Sequence, residues 1–319
     1  MLAVLSPGQG SQKPGFLNPW LAIPGAEARL RAWSDLAGVD LVHLGTEAGA
    51  DEIKDTARTQ PLLVAAALLA TEQLPLDGVD VVAGHSVGEL GAAAAAGVLT
   101  AEAAISLAGV RGREMAAACA LEPTGMSAVL GGDPDEVIAA IEKNGLHPAN
   151  RNGAGQIVAA GSLPGLADFA AAPPAKARVI ALAVAGAFHT PYMAPAEAAL
   201  DAVAAGIEVR DPARTLLSNL DGKPVTGGAE VLRRLVRQVT APVRWDLAMA
   251  SLRELGVTAV IELPPAGTLA GLVKRELKGE GAPEIVTLNT PDDLPAARDL
   301  IARHGGDQER HGGHQGGTR

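Results

Sequence analysis

The chain contains very few cysteines and aromatic side chains, and each shortage excludes a class of protein. Among its 319 residues there is one cysteine, Cys119, and aromatic residues make up 2%. One cysteine cannot form an internal disulfide or a zinc site built from several cysteines, and it fits a reducing compartment. Surfaces that bind single-stranded nucleic acid stack the bases on aromatic rings, for which this chain has too little material.

Basic residues are also in the minority. The chain has 26 lysines and arginines against 36 aspartates and glutamates, which gives a formal net charge of −10. A protein that binds nucleic acid through its phosphates usually carries a large basic surface. We therefore expect no nucleic-acid partner.

Long apolar runs are missing as well. The longest, such as residues 61–70, are shorter than the roughly 20 residues that a membrane-spanning helix needs. Residues 1–10 contain no basic leader and only a five-residue apolar run before Ser6 and Pro7, a pattern typical of a strand rather than a signal sequence. We expect no membrane association and a cytoplasmic location.

What the chain does contain is an alternation of short apolar strands and helices. Its length corresponds to about two domains, or to one large domain with an insertion. In the N-terminal part we predict strands at 2–5 and 79–83, and helices at 58–73, 89–96 and 101–118. Such alternation indicates a parallel sheet covered on both faces. The C-terminal part continues with helices at 195–203, 230–237, 245–255 and 268–276 and a strand at 258–262.

The middle of the chain has a different order of elements. We predict strands at 126–130, 147–152, 156–161 and 177–184, and helices at 134–143 and 164–171. This order, strand-helix-strand-strand-helix-strand, is that of a ferredoxin-like module. The predicted fold is therefore α/β. Its large part comprises residues 1–120 and 186–303, and the inserted ferredoxin-like module comprises residues 121–185.

Residues 304–319 form the last predicted segment. It is rich in glycine and carries His304, His311 and His314. Three histidines are able to bind a metal loosely, but glycine-rich polar tails are usually unstructured. We predict a flexible tail without a metal site, and no cofactor for the protein.

Ser86 is the candidate nucleophile. Residues 84–88 read Gly-His-Ser-Val-Gly, directly after a predicted strand and directly before a predicted helix. In this context the two glycines allow a sharp turn that exposes the serine hydroxyl, and the amide of Val87 is placed to donate to an oxyanion. A turn of small residues with a serine that only caps the helix is the alternative.

His189 is the candidate base for this serine, because a serine hydroxyl is a weak nucleophile that needs a base within hydrogen-bond reach. His85 is adjacent to Ser86, and its ring is expected to point away, so packing or orientation suits it better. His189 follows the predicted strand 177–184. A lone histidine in such a position is usually structural, so this assignment depends on Ser86.

Four segments carry a resemblance to a known family. They read Gly-Gln-Gly-Ser-Gln at 8–12, Gly-His-Ser-Val-Gly-Glu at 84–89, Arg-Gly-Arg-Glu-Met at 111–115, and Gly-Ala-Phe-His-Thr-Pro at 186–191. In this order they resemble the signatures of malonyl-CoA:acyl carrier protein transacylases and of the related polyketide-synthase acyltransferase domains. The resemblance runs over about residues 4–290. It implies a hydrolase-like large subdomain with an inserted ferredoxin-like small one.

The resemblance also implies a reaction and roles for its residues. A malonyl group passes from malonyl-CoA to holo acyl carrier protein in a ping-pong cycle, for fatty-acid or polyketide synthesis. Ser86 would carry the malonyl group, and His189 would act as base and acid. The amides of Gln9 and Val87 would form the oxyanion hole, and the main-chain carbonyl of Gln238 would orient His189. Two further residues, Asn152 and Gln156, would border the cleft.

Substrate selection falls to three residues. The resemblance implies that Arg111 binds the free carboxylate of the malonyl group. A planar guanidinium suits this role because it can form two hydrogen bonds with one carboxylate. Met115 lies four residues further on the same predicted helix and shares its face. In the family, a phenylalanine at the position of Phe188 accompanies selection of malonyl over methyl-branched acyl groups. Such a ring is expected to disfavour an acyl group with one added methyl by about 1–3 kcal/mol.

Two other interpretations remain open on the residues alone. A serine esterase or thioesterase has an acidic residue between serine and histidine, and Asp133, Asp135 and Asp168 lie in that interval, although helix capping and solvation also explain them. A non-catalytic module that docks a carrier protein is the second. The presence of Ser86, His189 and Arg111 argues against a non-catalytic module.

The expected partners are malonyl-CoA and an acyl carrier protein, a family of acidic proteins. Because this chain is acidic too, local basic surface has to supply the attraction. Nothing in the sequence requires more than a monomer. Two basic clusters are candidates for this surface, one of Arg233, Arg234, Arg237 and Arg244 and the other of Lys274, Arg275 and Lys278. For either cluster, an ordinary solvated helix face is an equally good explanation.

Overall fold

The computed structural model describes residues 1–304 and contains two sheets flanked by helices. The predicted tail, with His311 and His314, lies outside the described residues except for His304, which ends the last helix. The strands are β1 (Leu2–Ser6), β2 (Val81–Gly84), β3 (Thr124–Gly131), β4 (His147–Gly153), β5 (Gln156–Ser162), β6 (Ala177–Ala181), β7 (Thr215–Leu217), β8 (Pro224–Val225), β9 (Val243–Arg244), β10 (Ala259–Glu262) and β11 (Glu284–Thr287).

Helices connect these strands. The α-helices are α1 (Ala26–Ala37), α2 (Leu41–Thr46), α3 (Thr56–Thr71), α4 (Gly88–Ala95), α5 (Ala101–Cys119), α6 (Pro134–Lys143), α7 (Leu163–Ala171), α8 (Ala194–Ala204), α9 (Gly228–Arg237), α10 (Trp245–Glu254), α11 (Thr268–Glu276) and α12 (Leu294–His304). Short 3₁₀ helices occur at Asn18–Ala22, Glu52–Lys54, Leu76–Gly78, Pro191–Met193 and Pro291–Asp293.

The larger sheet has the strand order β11-β10-β1-β2-β7-β8. Its pairings are parallel except for the antiparallel edge strand β8. The predicted parallel sheet is therefore confirmed. Ser6 at the end of β1 pairs with Gly84 at the end of β2, so the loops that follow these two strands leave the sheet side by side. Ligand sites of open parallel sheets lie at this edge.

The smaller sheet has the order β6-β3-β5-β4-β9. The neighbours among β3 to β6 pair in antiparallel fashion, and α6 and α7 connect them. This is the predicted ferredoxin-like arrangement, and the α/β fold class is confirmed. One strand comes from outside the predicted module: β9 pairs in parallel with β4, with Val243 opposite Asn150.

The core of the large part is built around α3. Its residues from Thr59 to Thr71 are buried on all sides, as the apolar composition of 58–73 predicts, and it packs against α5. Two predicted helix starts are also confirmed. The Thr100 hydroxyl accepts a hydrogen bond from the amide of Ala103, and the Asp133 carboxylate accepts those of Asp135 and Glu136.

The predicted strand at 177–184 is wrong in its last three residues. β6 ends at Ala181. The main-chain N–H of Val184 then donates a hydrogen bond to the carbonyl of Leu182 and not to a carbonyl of a neighbouring strand. β6 is the edge of the small sheet and is largely exposed, so little packing holds the chain in extended form beyond it. His189 consequently lies in an irregular segment and not at a strand end.

Several elements carry no prediction from the sequence: α1, α2, α12 and the strands β7, β8, β9 and β11. The strands among them are two to four residues long, and so short a segment shows no measurable hydrophobic period. Within residues 1–304, no helix has both the length and the apolarity needed to cross a bilayer.

Candidate active site

Ser86 occupies the turn between β2 and α4. Its φ of 54° lies in the left-handed region, which residues with a side chain rarely adopt. The glycines beside it are sterically required. A Cβ on Gly84 would lie 2.1 Å from the carbonyl oxygen of Gly88, and a Cβ on Gly88 would lie 2.2 Å from that of Ser6. The Gly-His-Ser-Val-Gly segment therefore forms the predicted sharp turn.

His189 is within hydrogen-bond distance of this serine. Its Nε2 lies 2.7 Å from Ser86 Oγ, and its Nδ1 lies 2.8 Å from the main-chain oxygen of Gln238. A carbonyl only accepts hydrogen bonds, so Nδ1 carries the proton and Nε2 is left as the acceptor for the serine hydroxyl. Burial, and then the charge of Arg111, lowers the pKa of His189 to about 3. The imidazole is thus neutral and oriented as a base.

A main-chain carbonyl takes the place that an acidic residue occupies in a serine-histidine-aspartate triad. The acidic residues considered for an esterase lie elsewhere. Asp133 caps α6, Asp135 lies in the first turn of the same helix, and Asp168 is exposed on α7. The structure therefore does not support the esterase alternative.

Arg111 is buried behind the serine, with 2% of its surface exposed. Its Nη1 donates to Gln60 Oε1 at 2.6 Å, and its Nη2 donates to Gln238 Oε1 at 2.7 Å and lies 3.4 Å from Ser86 Oγ. Burial lowers its pKa to about 10, against the opposing charge of Glu89, and the group remains a cation at neutral pH. An arginine held by two neutral amides beside a nucleophile is suited to an anionic group on the acyl chain.

The cleft around these residues has a volume of about 490 Å³. Gln9, Val87, Met115 and Phe188 line it, as do Asn152 and Gln156. Within residues 1–304, the main-chain N–H groups of Gln9 and Val87 donate to no protein acceptor, which leaves both for a ligand oxygen. Their role as an oxyanion hole stays a prediction. The small sheet contributes an apolar wall to the cleft, formed by Met126, Ala128 and Val158.

His85 points to the small sheet and not to Ser86, as expected. Its Nε2 lies 2.8 Å from Asn152 Oδ1, and the Asn152 amide in turn donates to Gln156 Oε1 at 3.1 Å. The ring also packs edge-on against Trp245, with 5.6 Å between the ring centroids. His85 therefore links the turn at the nucleophile to the loop between β4 and β5.

Three polar residues of the site were missed by the sequence analysis: Gln60, Glu89 and Asn219. Gln60 contacts Arg111 and, through Nε2, the sulfur of Met115 at 3.4 Å. A signal existed for two of them, because a glutamine inside the apolar helix α3 and a glutamate inside the apolar helix α4 stand out from their neighbours. Asn219 follows the three-residue strand β7, which was not predicted.

The model of the acyl transferase domain family matches residues 5–296. This chain belongs to the acyl transferase domain family. It is 58% identical to the malonyl CoA-acyl carrier protein transacylase of Mycobacterium tuberculosis over 94% of this chain and 100% of the relative. It is 32% identical to that of Escherichia coli over 93% and 99% of the two chains.

Solved structures of the family share this fold. The crystal structure of MCAT from Mycobacterium tuberculosis superposes with a TM-score of 0.89 at 58% identity, over 93% of this chain and 99% of that one. A malonyl-transacylase solved in complex with a type II PKS acyl-carrier protein superposes with a TM-score of 0.86 at 31% identity, over 93% and 99%. Both likenesses extend over the two sheets.

Proposed function

We propose that this acyltransferase moves a malonyl group from malonyl-CoA to the phosphopantetheine thiol of holo acyl carrier protein. The observation that carries the proposal is the position of Arg111, whose guanidinium lies 3.4 Å from the oxygen of Ser86 while Ser86 bonds His189. A nucleophile beside a buried cation selects acyl groups that end in a carboxylate. The relatives named malonyl CoA-acyl carrier protein transacylase, and the neighbour solved with a carrier protein, support the same donor and acceptor.

The first half-reaction loads the enzyme. His189 Nε2 takes the proton of Ser86 Oγ as this oxygen attacks the thioester carbonyl of malonyl-CoA. The amides of Gln9 and Val87 hold the negative oxygen of the tetrahedral intermediate. The protonated His189 then delivers its proton to the sulfur of CoA as the carbon–sulfur bond breaks, which leaves malonyl-Ser86 and free CoA.

The second half-reaction reverses this order. The phosphopantetheine thiol gives its proton to His189, attacks the ester carbonyl of malonyl-Ser86 and forms a new thioester. Ser86 leaves as its oxygen regains a proton from His189. The Gln238 carbonyl keeps the Nδ1–H of the ring in place in both halves, so one histidine serves as base and acid.

The setting of the reaction is part of the proposal. Residues 1–120 and 186–303 make the large subdomain and residues 121–185 the small one, with the cleft between them. The proposed reaction requires no residue from a second subunit, and we propose a monomer. We place the enzyme in the cytoplasm, a location with which its single cysteine agrees.

Intact-protein mass spectrometry tests the proposal. The wild-type protein is mixed with malonyl-CoA, methylmalonyl-CoA or acetyl-CoA, and holo carrier protein is then added. We expect a malonyl adduct with malonyl-CoA, little adduct with the other two, and its transfer to the carrier protein. Ser86→Ala is expected to form no adduct, whereas Ser251→Ala on α10 is expected to behave as wild type. A malonyl adduct on Ser86→Ala refutes the assignment of Ser86 as the nucleophile. Fast hydrolysis of malonyl-CoA in the absence of an acceptor points to an esterase.

A further inference from the structure

Glu89 is a buried carboxyl beside the nucleophile that the mechanism above does not use. It lies on α4, three residues after Ser86, and is 5% exposed. One of its oxygens accepts the main-chain N–H of Asn219 at 2.6 Å. The other accepts a hydrogen bond from the side-chain amide of Gln238. A buried carboxylate that accepts from two separate residues fixes the position of both.

Asn219 holds the main chain around Ser86. Its Oδ1 accepts the N–H of Ser86 at 2.8 Å, and its Nδ2 donates to the carbonyl of Gly84 at 2.6 Å. On the other side, the carbonyl of Ser86 accepts from Gln238 Nε2 at 3.0 Å. A non-glycine residue in the left-handed region is unfavourable by itself and persists only where its surroundings hold it. Asn219 and Gln238 hold the two peptide groups of Ser86 in this way, and Glu89 contacts both residues.

Gln238 extends this network to the substrate-binding arginine. Its Oε1 accepts from Arg111, while its Nε2 faces Glu89. An ionised carboxylate only accepts hydrogen bonds, so it requires the NH₂ of Gln238 on its own side and leaves the oxygen for Arg111. If the amide were rotated, its NH₂ would face the guanidinium, which has no acceptor. Glu89 therefore fixes the orientation of Gln238 together with the carbonyl of Ser86, which accepts from the same NH₂.

We propose that Glu89 is a positioning residue that couples recognition of the malonyl carboxylate to the nucleophile, by orienting Gln238 towards Arg111 and Asn219 towards Ser86. The inference rests on the proposed function. Glu89 touches neither the reacting atoms nor the acyl group. Its effect on Arg111 passes through Gln238, and its effect on Ser86 passes through both amides.

The two connections have different consequences for substrate choice. The Asn219 oxygen also accepts from Gln238 Nε2 at 3.2 Å. Glu89 still accepts from that amide when Asn219 is replaced, so disturbing Asn219 displaces mainly Ser86 and slows every acyl donor to a similar degree. Disturbing Glu89 also weakens the hold on Gln238 and, through Gln238, the hold on Arg111. It therefore harms malonyl-CoA more than acetyl-CoA, which has no carboxylate to bind. The ratio of kcat/KM for malonyl-CoA over acetyl-CoA therefore separates this coupling from a merely structural contribution of Glu89.

The experiment measures acyl-enzyme formation with both CoA esters for Glu89→Gln, Glu89→Asp and Asn219→Ala. Burial raises the pKa of Glu89 to about 8, so assays run at about pH 9, where the wild-type carboxyl is ionised. In Glu89→Gln, the new NH₂ group must face either the main-chain N–H of Asn219 or the NH₂ of Gln238, and both of these are donors. We expect kcat/KM for malonyl-CoA to fall at least about thirtyfold and the malonyl-to-acetyl ratio about tenfold. Glu89→Asp, which keeps the charge, is expected to recover much of that ratio.

Controls separate the possible outcomes. Asn219→Ala is expected to slow both donors equally, and Glu142→Gln, an exposed glutamate on α6, to leave both unchanged. Equal losses for both donors in Glu89→Gln, or a wild-type ratio, overturn the inference. Should Glu89→Gln fail to fold, Glu89→Asp decides the question, because its shorter carboxylate must lower the ratio to an intermediate value. A wild-type protein that forms no malonyl adduct refutes the proposed function instead.

Discussion

Ser86 and His189 lie 103 residues apart in the chain, yet their side chains meet at 2.7 Å. Both also adopt left-handed backbone conformations, with φ values of 54° and 59°. Each conformation projects a reactive side chain out of a tight turn, and neighbouring residues hold it there. The unfavourable backbone conformations thus lie at the two residues of the proposed nucleophile and base, and strain of this kind is typical of functional sites.

Replacing His189 tests the base. We expect His189→Ala to lower the rate of malonyl-enzyme formation by about 10²–10⁴-fold, the usual contribution of a general base. Rapid-quench measurement of the acylation step provides the rate. His147→Ala, on β4 and partly buried, is the matched control and is expected to retain the wild-type rate. Near-normal acylation by His189→Ala would show that another group takes the proton of Ser86.

Replacing Arg111 tests the selection of the carboxylate. We expect Arg111→Ala to lower kcat/KM for malonyl-CoA by about two to four orders of magnitude, because losing one partner of a buried ion pair costs about 3–5 kcal/mol. Activity with acetyl-CoA is expected to change by only a few-fold. Arg113→Ala is the control, since Arg113 is exposed on the same helix and pairs with Glu114. Parallel losses with both donors contradict the assigned role.

Phe188 sets the expected preference for malonyl over methylmalonyl. Phe188 lines the cleft and is 7% exposed. Because the ring is packed on its other sides, it cannot move away from an added methyl on the acyl group, and the two clash. We expect the wild-type protein to favour malonyl-CoA by about 1–3 kcal/mol, and Phe188→Ala to reduce that preference. Competition between the two CoA esters, read by mass spectrometry, measures it. Equal kcat/KM values for both esters in the wild type contradict this prediction.

Buried histidine makes the folded protein sensitive to acid. The pKa of His189 is lowered on folding, so the unfolded chain binds protons more readily, and the stabilising contribution is present above about pH 6.5 and is lost as pH falls. We expect the melting temperature to drop between pH 7 and pH 5, and less so in His189→Gln. His43→Gln is the contrasting control. Hydrogen bonding to Glu52 raises the pKa of His43, so its contribution is present at low pH and is lost as pH rises. Equal acid sensitivity in wild type and His189→Gln contradicts the prediction.

The sequence was informative where the chemistry is local. The turn at Ser86 follows from two glycines, a strand and a helix that are adjacent in the chain. The cap at Asp133 and the burial of α3 are equally local. The order of elements in the middle of the chain predicted the ferredoxin-like sheet, because its strands are neighbours in sequence as well as in space.

The remainder depends on contacts between distant segments. Nothing in the sequence near Gln238 indicates that its carbonyl contacts His189, and only the family resemblance predicted this contact. The contact of its side chain with Arg111 was not predicted at all. Glu89 and Asn219 are 130 residues apart, and their bond depends on β7, which is too short to be recognised. The extent of β6 was overestimated for a related reason, because an apolar segment does not reveal that it lies at a sheet edge.

Carrier-protein docking gives the last prediction. Lys274 and Arg275 are exposed in the last turn of α11, and Lys278 is exposed two residues after it. The first residues of α11 line the cleft. In the other basic cluster, Arg233 and Arg234 already pair with Glu230. Charges that lack an internal partner are freer to attract an acidic protein, and such rim charges act mainly on association and its salt dependence. We therefore expect Lys274→Glu combined with Lys278→Glu to raise KM for the carrier protein by about three- to tenfold.

The same double variant should leave malonyl-enzyme formation from malonyl-CoA unchanged, because neither lysine lines the cleft. Arg233→Glu serves as the comparison and is expected to have a smaller effect on KM, since the arginine it removes is already neutralised by Glu230. KM for the carrier protein, measured at two salt concentrations, distinguishes the two clusters. A larger effect from Arg233→Glu assigns docking to α9, and an unchanged KM with unchanged salt dependence in both variants excludes both surfaces.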